Sequence, residues 1–259
     1  MSTIIYPSPI FGPIKSRRLG ISLGINLMPP DGKVCTFDCI YCECGYNSNY
    51  RPHLPMPTRE EVKTALKGRL QMMKQEGLAP DVLTFAGNGE PTIHPQFPGV
   101  IEDTLSLRDR YFPNAKVSVL TNATRVIDPI IRNALMKVDN PIMKLDSVNE
   151  EYIRRVDRPT GHYSLSEIIE GLKAMKGHAI IQTMFLKGKS DEGEDVDNTT
   201  DEYVFPWIKV VKEIAPRHVM IYTIDRETPG EYLKKATPQE LDHIAELLRA
   251  EEFEVSVSY

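Results

Sequence analysis

Short β-branched segments alternate with longer amphipathic segments along almost the whole chain, and this alternation restricts the fold more than any other feature of the sequence. The predicted strands are residues 20–27, 82–86, 116–121, 142–146, 178–186 and 217–224. Apolar positions that recur every three or four residues predict helices over 59–76, 96–110, 128–137, 164–176, 199–214 and 237–251. These units imply a mostly parallel sheet with right-handed crossovers. Because about six units are too few for a closed eight-stranded barrel, we predict an α/β fold, an open partial (β/α)6 barrel, with a doubly wound sheet as the alternative.

The chain carries no internal sign of division. Its 259 residues are 41% hydrophobic, enough for one sizeable core, and no linker, repeat or low-complexity stretch separates them, so we predict a single domain over 1–259. No run of 18 apolar residues and no secretion signal are visible, which predicts a cytoplasmic protein without a membrane span. A net charge of −5 gives no general attraction to nucleic acid or to an anionic membrane.

All four cysteines fall between Cys35 and Cys44. Cys35, Cys39 and Cys42 are spaced C-x3-C-x2-C. A disulfide framework would spread its cysteines along a secreted chain, so it is disfavoured here. A structural zinc site stays open as an alternative, although such sites usually pair two cysteine knuckles and no second knuckle follows. An iron–sulfur cluster normally takes four cysteines, so three thiolates would leave one iron of a [4Fe–4S] cube free to bind a substrate or cofactor.

The segment Cys35-Thr-Phe-Asp-Cys39-Ile-Tyr41-Cys42 resembles the C-x3-C-x-aromatic-C signature of the radical S-adenosylmethionine superfamily. The resemblance implies that Cys35, Cys39 and Cys42 bind a [4Fe–4S] cluster and that Tyr41 is the aromatic residue of the cofactor site. In that family the open iron is chelated by S-adenosylmethionine, and the reduced cluster cleaves a carbon–sulfur bond to give methionine and a 5′-deoxyadenosyl radical. It also implies an electron donor such as flavodoxin or ferredoxin.

A second motif follows the second predicted strand. Gly87-Asn88-Gly89-Glu90-Pro91 is similar to the Gly-Gly-Glu motif that binds the cofactor's amino group in this family, with Asn88 in place of a glycine. The chemistry is reasonable, because glycines let the backbone approach a ligand and a carboxylate complements an ammonium. A plain βα turn is the alternative. The resemblance covers roughly residues 10–225, leaving a C-terminal helix and strand over 237–258.

Further candidates stand at the ends of later strands. Asn122 closes the third strand, where the family often places a polar residue against the ribose. Lys144 and Asp146 are charged residues in an apolar strand and need partners, so they either meet the cofactor or substrate or form a structural ion pair. Gln182 in the fifth strand either lines the same cavity or packs as an ordinary core residue, and the same choice applies to Tyr222 and Thr223 in the sixth.

The reaction is less constrained than the cofactors. The chain resembles a branch of uncharacterised iron–sulfur oxidoreductases distantly related to wybutosine-synthesis enzymes, which use a second cluster for which this chain lacks cysteines. Three functions stay open: a radical enzyme acting on a small molecule or tRNA nucleoside, an activating enzyme that makes a glycyl radical on a partner protein, and a zinc-binding structural module. Cys44 is either a small residue beside the cluster loop, or a substrate-side thiol or alternative ligand. Ser16, Arg17 and Arg18 are candidates for binding an anion, and a salt-bridged hairpin is the alternative.

Overall fold

Strands and helices alternate in the computed structural model, which describes residues 4–16 and 19–259. The strands are β1 (Ile10–Ser16), β2 (Gly20–Ile25), β3 (Val82–Phe85), β4 (Lys116–Thr121), β5 (Asn140–Lys144), β6 (Ile180–Met184), β7 (Leu186–Gly188), β8 (His218–Tyr222), β9 (Leu233–Lys235) and β10 (Val255–Ser258). The helices are α1 (Arg59–Gln75), α2 (Phe97–Tyr111), α3 (Pro129–Leu135), α4 (Glu150–Val156), α5 (Leu165–Lys173), α6 (Asp201–Ile214) and α7 (Pro238–Ala250).

Eight of these strands form one sheet in the order β1-β2-β3-β4-β5-β6-β8-β10. Within this sheet the neighbouring strands from β2 through β6, β8 and β10 run parallel, and β1 pairs antiparallel with β2. The sheet is curled into part of a barrel, which confirms the predicted α/β open partial barrel. β7 and β9 form a separate antiparallel pair. Because β2 to β6 and β8 all run the same way in the main sheet, outside which β7 lies, the loops that follow them gather at one edge of it.

Local sequence explains the first helix. The Thr58 hydroxyl accepts from the Glu61 N–H, and the Glu61 side chain accepts from the Thr58 N–H at 2.7 Å, so the predicted capping box forms. Val62, Leu66 and Leu70 recur along one buried face against the sheet. Thr237 and Glu240 cap α7 in the same way. The predicted boundaries of these helices hold to within one residue.

The structure adds elements that the sequence pattern did not predict. They are β1, α4, β7 and β9. β1 contains Pro13 and has no strict alternation of buried and exposed residues, and α4 has only seven residues, too short for a periodic pattern to stand out. The predicted strand over 178–186 ends as β6 at Met184, and β7 begins at Leu186. Among the residues described, no helix combines the length and apolar composition needed to cross a membrane.

Candidate functional site

The cysteine loop lies at the carboxyl edge of the sheet and is fastened by backbone hydrogen bonds to the segment that follows α4. The Asp38 N–H donates to the Asp157 carbonyl at 3.0 Å, and the Ile40 N–H donates to the Val156 carbonyl at 2.9 Å. A third bond runs from the Thr160 N–H to the Thr36 carbonyl at 2.9 Å. The loop has little regular structure of its own, so these contacts fix its path.

The Gly87–Glu90 turn holds the other side of the loop. The Val34 N–H donates to the Asn88 carbonyl at 3.0 Å, and the Glu90 N–H donates to the Val34 carbonyl at 3.1 Å. Gly89 has φ +140°, and a Cβ there would stand 1.8 Å from the Val34 carbonyl oxygen. Only glycine permits this approach, so the turn and the cysteine loop form one unit.

All four cysteine thiols are free of disulfide bonds. The Cys35 sulfur accepts from the Phe37 N–H at 3.4 Å, and burial raises the pKa of Cys35 to about 12. The Cys39 thiol donates to Asp157 Oδ1 at 3.5 Å, and burial raises its pKa as well. A hydrogen bond from Cys44 outweighs burial at Cys42 and, with the nearby Lys33 ammonium, lowers the Cys42 pKa to about 6.

The donor set fits an iron–sulfur cluster. Cys35, Cys39 and Cys42 stand on one loop and are close enough that the charge of each affects the pKa of another. Within the described part of the chain, no three His, Cys, Asp or Glu side chains converge so as to hold a single metal ion. The thiolates of a cubane cluster need no such convergence, because each binds a different iron.

Asn88 and Glu90 are buried and already have partners. The Asn88 amide donates to the Tyr6 carbonyl at 2.9 Å and to the Pro29 carbonyl at 3.0 Å, and its oxygen accepts from the Tyr6 N–H at 2.7 Å. The Glu90 carboxylate is 2% exposed. Its donors are Thr92 N–H and hydroxyl (3.0 and 2.6 Å), the Thr121 hydroxyl (2.6 Å) and Asn122 N–H (2.7 Å). Both side chains therefore stabilise the conformation of the Gly87–Glu90 turn.

Lys144 and Asp146 do form an ion pair, and two further residues join it. Lys144 Nζ lies 2.7 Å from Asp146 Oδ2 and 3.1 Å from Asp157 Oδ1. The Tyr41 hydroxyl donates to Asp146 and, at 3.3 Å, to Asp157, and the ammonium lies 4.2 Å from the centre of the Tyr41 ring. Burial, partly offset by Lys144, raises the pKa of Asp157 to about 7. We call Lys144, Asp146, Asp157 and Tyr41 the Lys144 network.

Two buried charged residues were missed by the sequence analysis. Asp157 lies between Arg155 and Arg158, a setting typical of a solvated surface, and nothing in the sequence distinguished it. Lys33, whose side chain is 1% exposed, donates to the Gly45 carbonyl at 2.6 Å and lies 3.5 Å from Asp38 Oδ1. Burial lowers the Lys33 pKa, but the nearby cysteines and Asp38 raise it more, so the net shift is upward. Its position two residues before Cys35 was the available signal.

A cavity of about 440 Å³ runs from the cysteine loop into the curl of the sheet. Of the predicted site residues, it is lined by Tyr41, Cys42, Gly87, Gly89 and Gln182. Tyr222 and Thr223 also line it, as does Cys44.

Other predicted residues lie outside this lining. The predicted site residues that are not among the described residues lining the cavity are Cys35, Cys39, Asn88, Glu90, Asn122, Lys144 and Asp146. Asn122 stands beside the loop, its amide donating to the Thr36 hydroxyl at 2.7 Å and lying 3.7 Å from the Cys35 sulfur. Ser16 does line the cavity, whereas Arg17 and Arg18 lie outside the described residues.

At the cavity, three polar side chains from distant parts of the chain meet. The Arg226 guanidinium donates to Glu43 Oε2 and to the Tyr6 hydroxyl, both at 2.8 Å, and the Tyr6 hydroxyl lies 3.0 Å from Glu43 Oε1. Burial and the Glu43 charge raise the Tyr6 pKa to about 12. These contacts fasten the N-terminal segment and the loop after β8 to the cysteine loop.

Two known proteins are similar to this chain in sequence over most of its length. The UPF0026 protein MJ1312 of Methanocaldococcus jannaschii is 31% identical over 245 residues, which cover 92% of this chain and 69% of that protein. A Brachyspira hyodysenteriae protein named GTPase Obg is 29% identical over 238 residues, covering 90% of this chain and 32% of that protein. The chain therefore spans about two thirds of the first relative and about one third of the second.

Solved structures share the fold at low sequence identity. A radical SAM methyltransferase from Sphaerobacter thermophilus superposes with a TM-score of 0.67 at 15% identity, covering 92% of this chain and 66% of that one. Streptococcus suis SuiB bound to S-adenosylmethionine gives 0.63 at 14% identity, covering 91% and 50%. Archaeal TYW1 gives 0.54 at 12% identity, covering 88% and 71%.

The family is identified by the sequence itself. The family model described as the radical SAM superfamily matches residues 30–202, more than half of the chain and the part that contains the cysteine loop and the Gly87–Glu90 turn. Members of this superfamily use a [4Fe–4S] cluster together with S-adenosylmethionine. The chain therefore belongs to the radical S-adenosylmethionine superfamily and is an enzyme of that class.

Proposed function

We propose that Cys35, Cys39 and Cys42 hold one [4Fe–4S] cluster and that the protein cleaves S-adenosylmethionine reductively to abstract a hydrogen atom from a substrate bound in the cavity. The observation that carries this proposal is the cavity of about 440 Å³, which begins at Cys42 and Gly89 and reaches Gln182 on β6. When bound, the cluster and cofactor supply one-electron cleavage of a carbon–sulfur bond. The chain's own residues bind, orient and exclude water.

The cofactor contacts that we propose come from the turn and the loop. Gly87 and Gly89 line the cavity with their backbone, and neither position has room for a side chain, because a Cβ would stand 2.7 Å from Asn26 Cγ and 1.8 Å from the Val34 carbonyl oxygen. We assign Tyr41 and Gln182 to the cofactor or substrate from the cavity lining. Asn88 and Glu90 then act by fixing the turn, because their hydrogen-bonding groups are occupied by protein partners.

Asn122, Lys144 and Asp146 act behind the cavity wall in this proposal. Asn122 orients the part of the cysteine loop around Cys35. Asp146 fixes the Tyr41 side chain by a hydrogen bond to its hydroxyl, and Lys144 does so by the contact of its ammonium with the ring. Apolar side chains of the lining, including Leu120, Ile142, Met184 and Met220, exclude water from the reacting groups.

The substrate that we propose is a small molecule or a tRNA nucleoside, in a cytoplasmic single-domain enzyme reduced by a flavodoxin or ferredoxin. Glycyl-radical activation of a partner protein is the second candidate, because it needs the same cysteine spacing and no further cluster cysteines. Membership of the superfamily argues against the zinc-binding structural module.

Anaerobic reconstitution with iron and sulfide tests the ligand set. With S-adenosylmethionine and dithionite, the wild-type protein should form 5′-deoxyadenosine. Cys35→Ala, Cys39→Ala and Cys42→Ala should abolish it, whereas Cys44→Ala should retain the iron and most of the product. Equal loss in all four variants would overturn the ligand assignment. A protein that takes up only zinc and cleaves no cofactor would overturn the whole proposal.

The substrate class can be tested by isotope transfer. The reconstituted enzyme is incubated with small-molecule, tRNA and protein fractions of a deuterated cell extract, and 5′-deoxyadenosine is analysed by mass spectrometry. Deuterium arriving from the small-molecule or tRNA fraction supports the first candidate. Deuterium arriving from the protein fraction alone favours the activating enzyme and counts against the first.

A further inference from the structure

Lys33 is a buried lysine two residues before Cys35, and its charge is only partly compensated. Its side chain is 1% exposed, and its closest polar contact is the neutral Gly45 carbonyl at 2.6 Å. Its one described carboxylate partner is Asp38 at 3.5 Å, a side chain that is 24% exposed and also accepts from the Asn47 N–H at 2.7 Å. Because Asp38 is partly exposed and accepts a second hydrogen bond, it neutralises the Lys33 ammonium only in part. The remaining positive charge acts on the groups around Lys33.

Those surroundings are the cysteine loop itself. Both groups that Lys33 Nζ contacts belong to that loop: Asp38 immediately precedes Cys39, and the Gly45 N–H donates to the Cys42 carbonyl at 2.9 Å. In keeping with this placement, burial lowers the pKa of Lys33, but the three cysteines and Asp38 raise it more. Lys144, in contrast, faces two buried carboxylates at 2.7 and 3.1 Å, and of the three cysteines it acts mainly on Cys39. The two lysines thus differ in how much positive charge remains for the sulfur atoms.

We propose that Lys33 is a positioning residue that stabilises the reduced [4Fe–4S] cluster through its positive charge and so raises the cluster's reduction potential. This proposal rests on the ligand set of the proposed function. Reduction adds one electron, hence one negative charge, to a cluster held by three thiolates, and a fixed cation in a site of low dielectric favours the more negative state. Removal of the Lys33 charge shifts the potential downward, and removal of the opposing Asp38 charge shifts it upward.

The test is an EPR-monitored redox titration of anaerobically reconstituted protein without S-adenosylmethionine, with iron and sulfide counted for each variant. Lys33→Met is expected to lower the ratio of reduced to oxidised cluster at a fixed potential about tenfold or more, a shift of about −59 mV for a one-electron couple. Asp38→Asn, which keeps the shape of the side chain, is expected to raise that ratio. Lys33→Arg should stay close to wild type.

Lys116→Met is the matched control, since this lysine is 63% exposed and stands at the amino end of β4, away from the cysteine loop. A purely structural role for Lys33 predicts no shift, or shifts of the same sign in Lys33→Met and Asp38→Asn, and either result overturns the proposal. If Lys33→Met takes up no iron, Asp38→Asn decides alone: an upward shift supports the proposal and an unchanged potential overturns it. A wild-type protein that never forms a [4Fe–4S] cluster would instead refute the proposed function.

Discussion

Two lysines flank the cysteine loop, and the way in which each is neutralised separates a structural site from an electrostatic one. Lys144 contacts two carboxylates whose side chains are 1–2% exposed, and Tyr41 donates to both of them. Lys33 has one carboxylate partner among the described residues, and that partner is partly exposed. The lesson is that burial of a charge does not by itself reveal its role. The number and burial of its counter-ions do.

The largest expected effect comes from breaking the Lys144 network. At pH 8, above the Asp157 pKa of about 7, Lys144→Met leaves Asp146 and Asp157 buried beside each other without a cation, so we expect a loss of about 3–5 kcal/mol in the free energy of unfolding. Urea unfolding of the apo protein, followed by circular dichroism, measures it.

A double variant tests whether the loss comes from the uncompensated carboxylates. Asp157→Asn added to Lys144→Met removes one of them and should restore part of the stability, giving a coupling energy between the two sites. If the two changes are additive, Lys144 stabilises the fold by packing, and the contrast with Lys33 no longer rests on counter-ions.

The second prediction concerns pH. Burial raises the pKa of Asp157 from 3.8 to about 7, so the folded state holds this proton more tightly than the unfolded state does. The stability that follows is fully present below about pH 4 and is lost as the pH rises towards 7, with a slope of up to about 1.4 kcal/mol per pH unit. Asp157→Asn removes that slope.

The measurement is the difference in unfolding free energy between Asp157→Asn and wild type across this range, which cancels the titration of the other carboxylates. Asp38→Asn is the control, because Asp38 is partly exposed. A difference for Asp157→Asn that does not change with pH would show that Asp157 stays ionised in the folded protein throughout, paired with Lys144.

The sequence predicted the sheet, its open partial barrel and the cysteine and glycine motifs, because these depend on periodicity and on spacing along the chain. Gly89 is a case in point, since its approach to Val34 needs a residue without a side chain whatever its neighbours are. Asp157 was not predicted, because it meets the cysteine loop from a segment far away in the sequence. Lys33 was not predicted, because its contacts with Gly45 and Asp38 depend on how the irregular loop folds back on itself. Hydrophobic periodicity and residue spacing do not reveal such contacts.

The third prediction tests the tyrosine that links the loop to the Lys144 network. Tyr41→Phe keeps the ring beside the ammonium and removes hydrogen bonds to two carboxylates, so we expect a loss of about 1.5–3 kcal/mol in unfolding free energy. Tyr46→Phe is a matched control, because the Tyr46 hydroxyl bonds to Asp191 in an exposed setting at 3.2 Å. An equal effect of both substitutions would mean that the network adds nothing to an ordinary surface hydrogen bond.

The smallest effect on stability is expected at Lys33, and it decides whether the two lysines really differ. Lys33→Met leaves the Gly45 carbonyl without its donor, but Asp38 keeps the Asn47 N–H and its access to water. We therefore expect a loss of only about 1 kcal/mol in the free energy of unfolding of the apo protein. The same urea titration used for Lys144→Met provides the comparison. A loss as large as that of Lys144→Met would make Lys33 a structural residue of the same kind. A small loss together with a lowered reduction potential would show that the Lys33 charge acts on the cluster and its sulfur ligands rather than on the stability of the fold.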